Sequence, residues 1–171
     1  MNKTAFITGV TAGIGDASAR KFVSQGWQVV GTGRRRDRLD ALASELGDFF
    51  HPVMLDMRCP DDFEPVLAAL PERYRSVDLL LNNAGLAPPT TDFQNSEQEP
   101  LDVAIDTNVS GLVALTRGLL PRIIERKGTI INLSSVAGSY PYRGGAVYAG
   151  TKAFVRQFSL GLRCDLHGTG V

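Results

Sequence analysis

Residues 4–15, Thr4-Ala5-Phe6-Ile7-Thr8-Gly9-Val10-Thr11-Ala12-Gly13-Ile14-Gly15, join a short apolar run to three glycines and the start of a helical period. "TAFIT" (4–8) reads as a buried strand, and a helix is expected from about Ile14 to Gln25. Between them Gly9, Gly13 and Gly15 are spaced G-x-x-x-G-x-G. Such a turn lets the backbone approach a pyrophosphate closely and points unpaired helix N–H groups at it. The spacing departs from the commoner G-x-G-x-x-G, and many glycine turns hold no ligand. Its place directly after the first strand favours a dinucleotide site.

The same alternation continues outward. Strands are expected at 27–33, 49–56, 77–82 and 129–134, and helices at 36–46, 61–74 (despite its prolines), 98–126 and 146–167. "VDLLLN" (77–82) is uniformly apolar, as befits a strand buried on both faces. Strict alternation implies an α/β, Rossmann-type doubly wound parallel sheet with helices on both faces. Ligands then bind outside the carboxyl ends of the strands. The polar features fall there: Gly9–Gly15, Gly33–Arg36, Asp56, Asn82–Gly85 and Ser134–Ser135.

Composition removes several alternatives. Eighteen acidic and eighteen basic residues balance, so nothing suggests a nucleic-acid partner. No apolar run approaches the length of a membrane span, and the N-terminus enters a strand-like run with no room for a signal peptide. Cys59 and Cys164 lie far apart without metal-ligand spacing, and His51 and His167 have no partners at such spacing. These features suit a cytoplasmic protein with reduced thiols and no metal.

The second strand ends at Gly33, where an acidic residue would ordinarily hold the ribose hydroxyl of NAD. Arg34, Arg35 and Arg36 follow instead, at the start of a helix, where the dipole disfavours cations. A solvated charge cluster is one reading. The sharper one is that Arg34 and Arg35 await an anion, the 2′-phosphate of NADP, which guanidinium groups grip in bidentate fashion.

Five motifs in register then carry a family resemblance. They are Thr8-Gly9-x-x-x-Gly13-Ile14-Gly15, Asn82-Asn83-Ala84-Gly85, Asn108, Ser135 and Tyr148-x-x-x-Lys152, with thirteen positions from Ser135 to Tyr148. In order and spacing the chain resembles the short-chain dehydrogenase/reductase family. The resemblance implies that Tyr148 is the general acid/base, that Lys152 favours its ionised form and bonds the nicotinamide ribose, and that Ser135 orients the substrate oxygen. It implies that Asn108 holds a kink and a water in a proton relay. Gly9, Thr11, Gly13, Ile14, Gly15 and Asn83 would serve the cofactor, with Asp56 and Met57 flanking the adenine. At i and i+4 on a helix, Tyr148 and Lys152 share a face. Ser134 and Ser135, adjacent at a strand end, should point to opposite faces. Asn108 in a helix interior suits a local irregularity.

"TGRR", "LDMR", "NNAGLA" and the segment from Ser139 onward are similar to the NADP-dependent 3-hydroxy acid dehydrogenase branch. That branch acts on small hydroxy acids such as L-serine, L-allo-threonine and 3-hydroxyisobutyrate. Arg143 is the nearest basic candidate for the substrate carboxylate, and the loop 86–100 is expected to border the pocket. A carbonyl or 3-ketoacyl reductase would use the same residues. The family pairs its two long helices, here 98–126 and 146–167, so a homodimer or homotetramer is implied. The 171 residues read as one NADP-binding domain that stops where another strand is due, incomplete at its C-terminus. An inactive dinucleotide-binding fragment is therefore the alternative to an active enzyme.

Overall fold

The computed structural model describes residues 3–171. Strands β1 (Thr4–Thr8), β2 (Gln28–Gly33), β3 (Phe50–Met54), β4 (Leu79–Asn82) and β5 (Thr129–Asn132) form one parallel sheet in the order β3-β2-β1-β4-β5. Around it lie α1 (Gly13–Ser24), α2 (Arg36–Leu46), α3 (Phe63–Ala68), α4 (Gln98–Ile105), α5 (Leu112–Arg126) and α6 (Ala146–Asp165). The chain steps from β1 to β2 to β3 in one direction, then returns to lay β4 on the other side of β1. This reversal opens a crevice at the carboxyl ends of β1 and β4.

The sheet is buried on both faces because its central strands alternate between two cores. Phe6, Val30 and Leu80, which are register partners across β2, β1 and β4, enter one core with Phe63, Leu67, Leu115, Leu119 and Ile123. Ala5, Ile7, Val29, Leu79 and Leu81 enter the other, with Ala19, Leu39 and Leu42 from α1 and α2. A period of two along each strand thus feeds two helical layers. The edges differ. β3 carries Pro52, whose missing N–H suits an edge strand. β5 leaves Ile131 41% exposed.

Two expected elements differ from their sequence reading. The helix expected over 61–74 is broken into a 3₁₀ turn at Pro60–Asp62, α3, and a second 3₁₀ turn at Glu72–Tyr74. Pro71 is the cause: it lacks an N–H, disfavours helical backbone in the residue before it, and itself adopts φ −55° and ψ 146°. The helix over 98–126 is interrupted by a π-helical segment, Asp106–Gly111, with Asn108 inside it as its poor helix propensity suggested. Gly111 permits the detour, since a Cβ there would stand 2.1 Å from the Met57 carbonyl oxygen. Strands β2 to β5 are also shorter than expected, whereas β1 spans 4–8 as read, so Ser134 and Ser135 lie beyond the end of β5. No helix among the described residues is long and apolar enough to cross a membrane.

His51 on β3 stacks on Tyr74, with ring centroids 5.1 Å apart. The Tyr74 hydroxyl donates to the Asp48 carbonyl at 2.7 Å. Burial, aided by the nearby Arg73 charge, holds the His51 pKa below the usual histidine value. The folded protein therefore keeps the ring neutral at a pH where the unfolded chain, titrating near about 6.5, takes up a proton. Stability should be unaffected by this group above that value, fall as pH drops through it, and level off once the folded ring is also protonated. Melting temperatures between pH 7.5 and 5 should show this loss, and His51→Gln should flatten that part of the profile.

Candidate functional site

The crevice between β1 and β4 holds a cavity of about 380 Å³. Gly9, Thr11, Ala12, Gly33, Arg34, Arg35, Asp56, Met57, Asn83 and Gly85 are among its walls. Most of the residues expected to serve a dinucleotide are therefore gathered on one hollow, of a size suited to a small ligand.

The glycine turn is shaped by close approach. Gly9 and Gly13 have φ of +73° and +59°, the left-handed region that glycine enters without strain. Gly15 is packed so that a Cβ would stand 2.3 Å from the Gly9 carbonyl oxygen. Ala12, just ahead of α1, supplies no capping side chain, so first-turn N–H groups are left for another acceptor. Ile14 is 64% exposed at the same helix end. Asn83 pins the turn to β4 by donating from Nδ2 to the carbonyls of Thr8 (2.7 Å) and Gly9 (3.1 Å).

Thr8, which sequence reasoning left without a role, completes that joint. Its hydroxyl accepts from the backbone N–H groups of Asn83 (3.0 Å) and Ala84 (2.9 Å). A threonine ending a strand carries no distinctive signal, because its partner lies 75 residues away.

Basic side chains gather at the far end of the hollow. Arg35 donates from Nη2 to Thr11 Oγ1 at 2.7 Å and from Nε to the same oxygen at 3.2 Å. Arg38 donates to the Thr11 carbonyl at 3.3 Å. Among the described residues none of Arg34, Arg35 and Arg38 has an ion-pair partner, whereas Arg36 is held by Asp40. Arg38, in the first turn of α2, was missed by sequence reasoning; Arg35 stands just ahead of that helix, and both reach Thr11. Asp56 faces the hollow paired with Arg58, and that guanidinium holds its carboxyl below the usual range.

Past Gly85 lies the α6 constellation. Lys152 is buried, with Nζ 5.9 Å from the centroid of the Tyr148 ring and donating to the Leu133 carbonyl at 2.8 Å. Burial pushes the Lys152 pKa down. Asn108 Nδ2 donates to Leu86 O (2.8 Å) and Thr151 Oγ1 (3.1 Å), while its Oδ1 accepts from Leu86 N (2.9 Å). Thr151 Oγ1 in turn donates to the Tyr148 carbonyl at 2.8 Å. The π-helical segment, the loop after β4 and the first turns of α6 are thereby tied together.

The two serines diverge as expected, although from a loop. Ser134 Oγ donates into α6 at the Lys152 carbonyl (2.8 Å), and Ser135 Oγ accepts from Ala137 N (3.2 Å), which leaves its own proton to give. Arg143, expected to meet a substrate carboxylate, is paired with a carboxylate of the chain itself. Its Nε and Nη2 donate to the two carboxylate oxygens of Asp92 at 2.6 and 2.5 Å, and the side chain is 86% exposed. No cluster of three or more metal-ligating side chains occurs among the described residues.

A parallel sheet in the order 3-2-1-4-5, a glycine turn over the crevice, and a Tyr–Lys pair one helical turn apart define a nucleotide-dependent dehydrogenase architecture. The short chain dehydrogenase family model matches residues 3–171, and the chain belongs to that family. It is 54% identical to a serine 3-dehydrogenase of Agrobacterium fabrum over all of this chain and 69% of the relative. It is 51% identical to the NADP-dependent 3-hydroxy acid dehydrogenase YdfG of Salmonella typhi, over 96% of this chain and 67% of that protein. A solved closed form of serine dehydrogenase complexed with NADP+ superposes with a TM-score of 0.94 at 49% identity, covering 96% of this chain and 67% of that one.

The two glycine environments predict different costs. Gly15→Ala drives a Cβ into the Gly9 carbonyl and should destabilise the protein by about 1–3 kcal/mol in urea titration. Gly13 has open space within 4 Å, so Gly13→Ala should cost only the left-handed strain of about 1–2 kcal/mol and leave the packing of the turn intact.

Proposed function

We propose that the protein is an NADP-dependent oxidoreductase that interconverts the hydroxyl of a small 3-hydroxy acid, of the L-serine or L-allo-threonine type, and the corresponding carbonyl. The observation that carries this reading is the buried Lys152 beside Tyr148, its Nζ close against Gly85 in the wall of a hollow that Arg34 and Arg35 also line. The relatives act on such substrates by name, and their similarity runs through both ends of the site.

The residues present fit the cofactor. Free N–H groups at the start of α1 suit its pyrophosphate, and the backbone can approach because Gly9 and Gly15 lack side chains. Arg35 and Arg38 rest on neutral oxygens of Thr11, so their charge is available to a 2′-phosphate. Arg34 adds a third charge at the same end, and Asp56 and Met57 line the wall where an adenine would lie. The 171 residues act in this reading as one cofactor-binding unit.

When bound, the cofactor accepts the hydride from the carbinol carbon. The chain supplies the rest. Ser135, with its proton free, donates to the substrate oxygen and holds it towards Tyr148. The Tyr148 phenolate takes the hydroxyl proton as the carbon–oxygen double bond forms. Lys152 favours that phenolate: its ammonium is costly to bury, and a neighbouring negative charge compensates the cost. The Leu133 carbonyl uses one of the three Lys152 donors, which leaves two to give. Asn108 keeps the first turn of α6 at its distance from the loop after β4. On the outer side of α6, Phe154 and Phe158 stack at 5.7 Å, which supports pairing with a second copy along this helix.

Production of NADPH from NADP and L-serine, beside a panel of hydroxy acids and ketoacyl compounds, tests the reading. Tyr148→Phe should lower kcat by about 10²–10⁴-fold while the dissociation constant for NADPH stays unchanged. Activity surviving loss of the phenol would sink the mechanism. Arg35→Ala combined with Arg38→Ala should weaken NADP binding by about tenfold or more and leave NAD binding alone, as measured by fluorescence titration.

A further inference from the structure

We propose that the Asp92–Arg143 ion pair is a strap that fixes the loop after β4 to the turn ahead of α6 and so positions the substrate end of the site. The inference deepens the oxidoreductase reading and rests on it.

The two segments are 51 residues apart and both follow strands, β4 and β5, at the carboxyl edge of the sheet. Arg143 stands three residues before α6 and five before Tyr148. Its guanidinium meets the Asp92 carboxylate through two parallel N–H···O bonds, the geometry that fixes orientation best. The backbones also touch. Gly144 has a φ of +75°, and a Cβ there would stand 2.9 Å from Thr90 Cγ2 and 3.0 Å from Thr91 N. Behind this contact the Ser96 hydroxyl turns back to the carbonyls of Thr91 and Asp92. Asp92 precedes the 3₁₀ turn Phe93–Asn95 yet does not cap it, so its carboxylate is committed to Arg143 rather than to its own turn.

An ion pair this exposed adds little to global stability. What it does is remove freedom from two loops that flank the substrate. The Arg143 pairing with Asp92 holds the Asp92 carboxyl below the usual range, so both charges persist across neutral pH. The effect belongs to substrate binding, and Arg143 acts as a positioning residue without touching the reacting atoms.

The test compares wild type, Asp92→Asn, Arg143→Gln and the charge-swapped pair Asp92→Arg with Arg143→Asp, all in the full chain. Chymotryptic cleavage after Phe93, which is 64% exposed, reports the loop independently of catalysis. Each single variant should speed that cleavage and raise KM for L-serine by about three- to tenfold, with a smaller change in kcat; the swap should bring both back towards wild type. Unchanged cleavage and KM in both single variants would overturn the strap. So would a KM that rises for Arg143→Gln but falls for Asp92→Asn, since Arg143 would then bind the substrate carboxylate itself. If wild type oxidises no hydroxy acid, the functional reading fails by itself, and the cleavage rates and their rescue still decide the strap.

Discussion

The joint between the ends of β1 and β4 governs the rest of the molecule. Four hydrogen bonds cross it: the Thr8 hydroxyl accepts from the N–H groups of Asn83 and Ala84, and the Asn83 amide donates to the carbonyls of Thr8 and Gly9. Parallel strands that part at a topological reversal leave backbone groups without ladder partners. Here those groups are satisfied by two side chains, and the satisfaction fixes the curl of the glycine turn. With the turn fixed, the start of α1, the Thr11 oxygens and the arginines that rest on them all have set positions. The hollow is thus a consequence of pairing at a seam that must be sealed.

Charge is distributed along the hollow according to what each end can tolerate. At the α2 end, guanidinium groups sit in water, where cations near a helix N-terminus cost little. At the α6 end one ammonium is buried, and its charge is sustained by a single carbonyl and by proximity to a phenol ring. The difference between the two ends is exposure more than residue type.

The fold was legible in the sequence because parallel β/α units announce themselves by uniform apolar strands and helical periods; α2 was placed to the residue. What escaped depended on contacts between distant segments. Pro71 ended a helix that apolar periodicity continued through, a local rule outweighed in the reading by pattern. Arg38 and Thr8 gained their places only when remote oxygens and N–H groups arrived beside them. Arg143 lies five residues before Tyr148, but its pairing with Asp92, 51 residues upstream, could not be read from either segment alone. The π-helical segment was foreshadowed by Asn108, although nothing local revealed how the wide turn is filled by the Met57 backbone.

That wide turn also sets a phase. A helix advances roughly 100° per residue, so one residue accommodated in the bulge at Asp106–Gly111 rotates everything after it by about that angle relative to α4. Leu115, Leu119 and Ile123 reach the core from α5 while Leu101 and Ala104 are buried on α4, and the segment between them buries Thr107, Asn108 and Gly111 together. The bulge therefore works as a gear between two halves of one helix. It lets the first half answer to the site and the second half answer to the sheet, each in its own register.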